Sequence, residues 1–185
     1  MSWPSADAIS DTSEYGAFTD LTNDMILRVI GAATLPSNIA MEASADIYFK
    51  HLYHRIPIVD PSDLDLESPS VLLFQAVALV GSVLRHPRGT SSLATSEQFY
   101  VKVKALLNHG GEKDPLTRLK AVCLISLWHT KPPLDLNFDS GWYWIGVSVR
   151  QLFQMGLHRE SSYQTLLHAS TARRIAWSIY VSSIQ

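Results

Sequence analysis

A few clusters in this sequence carry residue types that could do chemistry. His51 and His54 stand three apart, a spacing that sets two imidazoles on one helix face for a metal ion. No Glu-x-x-His or His-Glu-x-x-His accompanies them, so no familiar helical metal set forms. At a helix end, such histidines instead interact with the exposed carbonyls. Asp63, Asp65 and Glu67 could form half of a magnesium-dependent diphosphate site. They alternate instead of falling at i, i+3 or i+4, and they precede a helix start, where acids complement the helix dipole. Gly146-Val-Ser148-Val is no nucleophile elbow, because Arg150 replaces the required glycine and no strand precedes it. Cys123 is the single cysteine and sits between apolar neighbours, the setting of a buried small hydrophobe. Alone it permits neither an internal disulfide nor a cysteine-based zinc site. Arg85, His86 and Arg88 make a basic knot at a helix end, too small for a nucleic-acid footprint. Arg150 and His158 remain, both within the stretch from Trp142 to Ser161.

The elements that must position these residues read as seven helices. The first is short, about residues 23–31, and the second runs from about Pro36 to Tyr53, with Ile39, Ala43, Ile47 and Leu52 as core marks. Pro57 stops it. Ser68-Pro69 opens the third, whose run VLLFQAVALVGSVLR is apolar nearly all round and belongs inside a bundle. The fourth spans about residues 91–108, with Leu93, Phe99, Val103, Leu106 and Leu107 inward and Lys102 and Lys104 outside. Asp114-Pro115 starts the fifth, with Leu116, Leu119, Val122, Cys123 and Ile125 inward. The loop KPPLDLNFDSG leads to the sixth, capped by Ser140, and the seventh begins near Ser170. Period-2 alternation is absent, so the fold class is all-α, an array of antiparallel helix pairs.

At about 100° per residue, Trp142, Ile145, Gly146, Val149, Leu152, Phe153, Gly156 and Leu157 fall in one wide arc of the sixth helix. Trp144, Val147 and Met155 lie opposite, so the helix is expected to be covered twice. Arg150 shares a thin polar strip with Tyr143 and Gln154 and should reach a carboxylate or carbonyl. Gly156 either packs or marks the helix end. The expectation is a core helix with no catalytic residue.

Composition sets the frame. The chain has 185 residues, 46% hydrophobic and 17% charged, with a formal net charge of −2. That length suits one core, and the charge balance argues against a nucleic-acid-binding surface on this segment. Residues 1–24 contain five acids and no Lys or Arg, which reads as a disordered acidic tail over residues 1–22 ahead of a helical domain at 23–185. No signal-peptide pattern and no apolar stretch of membrane-spanning length is present.

The sixth helix also carries a resemblance. Trp142-x-Trp144-Ile-Gly146-x-x-Val-Arg150 through Met155-Gly156-Leu157-His158-Arg159 resembles the middle homology region of fungal zinc-cluster transcription factors. Tyr48-Phe49-Lys50-His51 through Ile56-Pro57-Ile58-Val59-Asp60 is similar to an earlier block of that family. So are Ser96–Leu107, Leu119–Trp128 and Arg173-Arg174-Ile-Ala-Trp177-Ser-Ile-Tyr180. The resemblance covers about Ser44 to Val181. It implies an all-α regulatory domain of a nuclear transcription regulator, responsive to an effector or partner and without catalysis.

In that family two zinc ions sit in an N-terminal six-cysteine module that contacts DNA. This sequence lacks those cysteines, so no cofactor is expected in it, and DNA would be reached only through an upstream module. A homodimer, a transcriptional coregulator and a small-molecule effector are the partners the resemblance implies, with no membrane. The motif residues Trp142, Trp144, Gly146, Arg150, Gly156, Leu157, His158, Arg159, Arg173, Arg174 and Trp177 are expected to be structural. After Tyr180 the family usually continues with Asp-Arg, so the chain reads as a fragment whose Trp177 and Tyr180 lack part of their cover. The alternatives are an all-α small-molecule binder or isoprenoid-type enzyme using Asp63 and Asp65, and a helical scaffold for protein partners.

Overall fold

The computed structural model describes residues 12–65, 69–85, 90–128, 138–164 and 166–184. Among these, seven α-helices and two short 3-10 turns are present and no strand, which gives the all-α class expected. The helices are α1 (Thr12–Ile30), α2 (Asn38–His51), α3 (Val71–Arg85), α4 (Thr90–His109), α5 (Pro115–Ile125), α6 (Gly141–Gln154) and α7 (Ala169–Ser183). The 3-10 turns lie at Pro61–Leu64 and Glu160–Gln164.

The apolar run predicted to sit inside a bundle does so. Every residue from Leu72 to Gly81 of α3 is buried, and α3 packs against α2, α4 and α5 at once. From there each helix leans on the next, α4 on α5, α5 on α6 and α6 on α7, while α1 lies on α4. The approach of α2 to α3 depends on two small residues. A Cβ added to Gly81 would lie 2.8 Å from Ser44 Cβ and 3.0 Å from Ser44 Cα, so the two backbones cross where neither carries bulk. The polar side chain within the buried run of α3, Gln75, is fully buried and donates from Nε2 to the carbonyls of Ala32 (3.3 Å) and Thr34 (2.7 Å). It thereby ties the turn after α1 to the central helix.

Several boundaries follow the local chemistry expected of them. Asp114 caps α5, accepting from Leu116 N (3.3 Å) and Thr117 N (2.9 Å), with Pro115 at the first helical position. Ser140 caps α6 by accepting from Tyr143 N at 3.2 Å. Other boundaries differ. Ser68 lies outside the described residues. The cap of α3 is Ser70, whose Oγ accepts from Leu73 N (3.3 Å) and donates to Glu112 Oε2 (2.6 Å). The first helix begins at Thr12, not near Asn23, so the segment 12–22 assigned to a disordered tail is helical; residues 1–11 lie outside the described residues. Its acidic composition hides a helix that gains a packing face only in its second half. There Leu27 and Ile30 meet the core and Asn23 Oδ1 lies 2.8 Å from His109 Nδ1. In α2 the inward line is Met41, Ser44 and Tyr48, while Ile39 is 80% exposed.

Candidate functional site

Two of the motif residues, Arg174 and Trp144, belong to two polar clasps that fix the helices. The first begins at Tyr48, fully buried near the end of α2. Its hydroxyl donates to Ile56 O (2.6 Å) and accepts from Ile58 N (3.2 Å) and Val59 N (3.1 Å). Three backbone groups of the extended segment Ile56–Val59 are satisfied by one side chain, which lets Ile58 and Val59 be buried without a helix or sheet. Burial dominates the acidity of this phenol and pushes it up to about 12, against the opposing pull of the two N–H groups. The hydroxyl therefore stays protonated and keeps its donor role.

That segment delivers Asp60 to α7. Arg174 donates to both Asp60 oxygens at 2.7 Å, to Tyr53 Oη at 2.9 Å and to Thr171 Oγ1 at 2.9 Å, while Thr171 Oγ1 donates to Asp60 Oδ2 at 2.7 Å. Partial burial pushes the Asp60 carboxyl up, but the hydrogen bonds from Arg174 and Thr171 and the guanidinium charge outweigh it and hold the carboxyl below its ordinary range. Three residues on, Asp63 accepts from Asp60 N (2.6 Å) and from Lys120 Nζ (2.7 Å to each oxygen). The Lys120 side chain is only 4% exposed. Both Asp63 oxygens are thus engaged in pinning the Pro61–Leu64 turn to α5, where the sequence allowed a magnesium ligand. Asp65 has interactions of its own, and Glu67 lies outside the described residues. Among the described residues no group of three His, Cys, Asp or Glu side chains could hold a metal. His51 and His54 are both exposed.

The second clasp joins α4 to the start of α6. Trp144 Nε1 donates to Tyr100 Oη (3.2 Å), which donates to Asp139 Oδ1 (3.0 Å), and Lys104 is ion-paired to the same oxygen. Tyr100 stacks on Trp128 with ring centroids 5.7 Å apart, and burial raises its hydroxyl well above the ordinary range. Lys104, expected outside the bundle, is half-buried here.

The burial of α6 corrects the angular reading. The buried line is Gly141, Trp144, Ser148 and Leu152, not the arc through Trp142, Gly146 and Phe153. Trp142 is 44% and Phe153 57% exposed, and a Cβ on Gly146 would meet nothing within 4 Å. Arg150 is exposed and makes no polar side-chain contact among the described residues, contrary to the expected carboxylate or carbonyl partner. Ser148 explains the shift. Its hydroxyl folds back to Ile145 O at 2.7 Å, and a small self-satisfied residue packs closely where an apolar count looks for bulk. The helix ends at Gly156, whose φ of 71° only glycine adopts freely. Gly156 N donates to Phe153 O and Leu157 N donates to Leu152 O, both at 3.0 Å, which is the Schellman pattern, with Leu152 and Leu157 buried together. His158 and Arg159 then lie exposed, Arg159 Nε donating to His158 Nε2 at 3.0 Å. Arg173 pairs with Glu160 and stands 4.7 Å over the Tyr163 ring.

A groove opens where Ile56 and Pro57, the end of α5, the start of α6 and α7 meet, with a volume of about 760 Å³. Leu127, Trp142, Ile145 and Trp177 form apolar walls, and His54, Arg55, Arg173 and Arg174 supply its charged lining. Trp177 is 66% and Tyr180 57% exposed, so α7 presents an open apolar face, as the sequence led one to expect. Neither Lys120 as a buried charge nor the reach from Asp60 to Arg174 is announced by the residues around them. The only local signal is the Asp60-Pro-x-Asp63 spacing of a capped turn.

The structure is thus an all-α array cross-linked by polar clasps, in which Trp144 and Arg174 of the motif make cross-links and Gly156 and Leu157 a helix end, while Trp142, Gly146, Arg150 and Trp177 stand exposed. Residues 45–183 match the family model described as "Fungal specific transcription factor domain", and the chain belongs to that family. It is 31% identical over 143 residues to the acetamidase regulatory protein of Aspergillus fumigatus, which covers 71% of this chain and 18% of that protein. It is 26% identical to cutinase transcription factor 1 beta of Fusarium vanettenii, over 84% of this chain and 19% of that one. To transcription factor cpaR of Aspergillus oryzae the identity is 27%, over 83% of this chain and 28% of the relative. The chain thus spans about a fifth of the length of the first two. No solved structure matches it.

Proposed function

We propose that this domain is a non-catalytic regulatory element that sets the activity of a DNA-bound transcription regulator in the nucleus, in answer to an effector or partner. The observation that carries the reading is where the conspicuous polar residues go. Asp60, Asp63, Lys120, Arg174, Tyr100 and Asp139 are all bound up in links between helices, which suits a device that transmits a state. Its single cysteine is buried with its thiol pushed up to about 12, so this chain's residues do not fit a six-cysteine zinc module. DNA contact would then come from a separate module. Among the described residues no helix is long and apolar enough to cross a membrane.

The test is to fuse residues 1–185 to a heterologous DNA-binding domain and measure reporter output. Output should depart from that of the DNA-binding domain alone, and Arg174→Ala should change it. Identical output with and without the domain would overturn the reading. A second reading, a helical scaffold for protein partners, is favoured by α1. There Phe18, Leu21, Met25 and Val29 form an exposed apolar stripe, from 58% to 86% exposed. Co-purification of a partner that Leu21→Lys with Met25→Lys abolishes, with a silent reporter, would favour it.

A further inference from the structure

The groove beside Trp177 has a chemistry that narrows its occupant. Its volume of about 760 Å³ lies within the range of clefts that hold small organic ligands, roughly 300–1,000 Å³. Two indoles, Trp142 and Trp177, line it half open, together with Ile56, Pro57 and Leu127. Every charged lining residue is a potential cation, namely His54, Arg55, Arg173 and Arg174, and none is an acid. Two of these are already engaged, Arg174 by Asp60 and Arg173 by Glu160. Arg55 and His54 are exposed and have no side-chain partner among the described residues.

We propose that this groove is the effector site and binds a small amphipathic monocarboxylate, its apolar body between Trp142 and Trp177 and its carboxylate on Arg55. The inference rests on the regulatory reading above. One free guanidinium matches one carboxylate, because its planar fork donates two parallel N–H groups to the two oxygens. His54, on the same rim, adds a second donor. A doubly charged phosphate would leave charge uncompensated over apolar walls. A second copy of this chain is disfavoured, since two such grooves face to face would bring cations against cations.

The test uses the purified chain, residues 1–185, titrated with 3-phenylpropanoate and octanoate and with the matched neutral alcohols 3-phenylpropan-1-ol and octan-1-ol. Calorimetry gives the affinities. Each acid should bind about tenfold or more tightly than its alcohol. Arg55→Ala should abolish that preference while leaving the alcohols unchanged, and Trp177→Ala should weaken acid and alcohol alike. A thermal melt of each variant checks that it is folded; since Arg55 and Trp177 are exposed, both should melt near the parent. Equal affinity of acid and alcohol would overturn the proposal. So would an acid preference that survives Arg55→Ala, or saturable binding of an acidic aromatic peptide with no binding of either free acid. The reporter fusion separates the two levels. Domain-dependent output with no carboxylate binding removes the groove assignment and leaves the regulatory reading standing. Binding that Arg55→Ala abolishes, without any effect of the domain on output, removes the regulatory reading and with it the effector role.

Discussion

At the scale of single residues, the link between Asp60 and Arg174 decides more than any candidate for chemistry. The two are 114 positions apart, yet the guanidinium meets both carboxylate oxygens at 2.7 Å while each side chain is less than a third exposed. Removing the arginine leaves a largely buried carboxylate without its charged partner, so Arg174→Ala should cost about 2 kcal/mol in urea unfolding. A double-mutant cycle with Asp60→Asn should return a coupling of the same sign, on the order of 1 kcal/mol or more. Additive single effects would mean the pair contributes nothing as a pair. The acid side supplies a separate check. Asp60 is held below its ordinary value of 3.8, so its contribution is fully present above that pH and is lost as pH falls through the lowered value. Below pH 4 the parent should therefore lose stability more steeply than Asp60→Asn, which has no carboxyl to protonate at that position. Parallel acid limbs in the two unfolding curves would count against the assignment.

Elements show which features the sequence announced and why others stayed hidden. Caps were legible because they are local: Asp114-Pro115 and Ser140 act within three residues of themselves. The central helix was legible because a run apolar on all sides has nowhere else to go. The burial of α6 and α2 was not, because both inward lines run through serines, Ser148 and Ser44, that any hydrophobicity count passes over. What a serine provides there is closeness, which belongs to the partner helix as much as to its own. The groove and the clasps were illegible for a related reason, since their cross-links join segments from 35 to 121 positions apart. Two substitutions test the geometry. Gly156→Ala forces a Cβ into the left-handed region and to 3.1 Å from Ser162 Oγ, so it should destabilise by about 1–2 kcal/mol and fray the end of α6. Hydrogen exchange at Leu157 N would report the fraying, and unchanged protection there would refute the cap. Gly81→Ala should cost about 1–3 kcal/mol, because its new Cβ meets Ser44. Ser44→Gly should recover part of that, since it removes the nearest atom but leaves the backbone of α2 still 3.0 Å away. No recovery in thermal melts of the double variant would mean the crossing is not the source of the strain.

For the whole molecule, the clasps make a case for cooperativity. The segment between α2 and α3 is tied to α5 through Asp63 and Lys120 and to α7 through Asp60 and Arg174, so neither α5 nor α7 can leave without disturbing the same short stretch. Cys123 lies on α5 at the centre of this arrangement, buried among apolar neighbours. Its thiol ordinarily ionises near 9.0 and is pushed up to about 12 by burial, so at pH 8 the folded protein holds it protonated and out of reach. Only an opening that exposes α5 can supply the reactive thiolate. If the array opens as one unit, labelling by an aromatic disulfide reagent at pH 8, in the limit where closing outpaces labelling, should give the same opening free energy as far-ultraviolet circular dichroism in urea. Arg174→Ala acts on α7 and not on α5, so it discriminates. In a cooperative array it should lower the protection of Cys123 by the same amount that it lowers global stability, about 2 kcal/mol, or roughly thirtyfold in labelling rate. If α7 instead detaches by itself, the variant should lose helical signal early in the urea titration while Cys123 keeps its protection. The alkaline side has its own signature. The raised thiol contributes no destabilisation below its ordinary 9.0, and stability should fall from there towards 12 as the unfolded chain ionises where the folded one does not. Cys123→Ala should flatten that part of the alkaline limb, leaving the share that belongs to the phenols Tyr48, Tyr100 and Tyr163, all raised by burial.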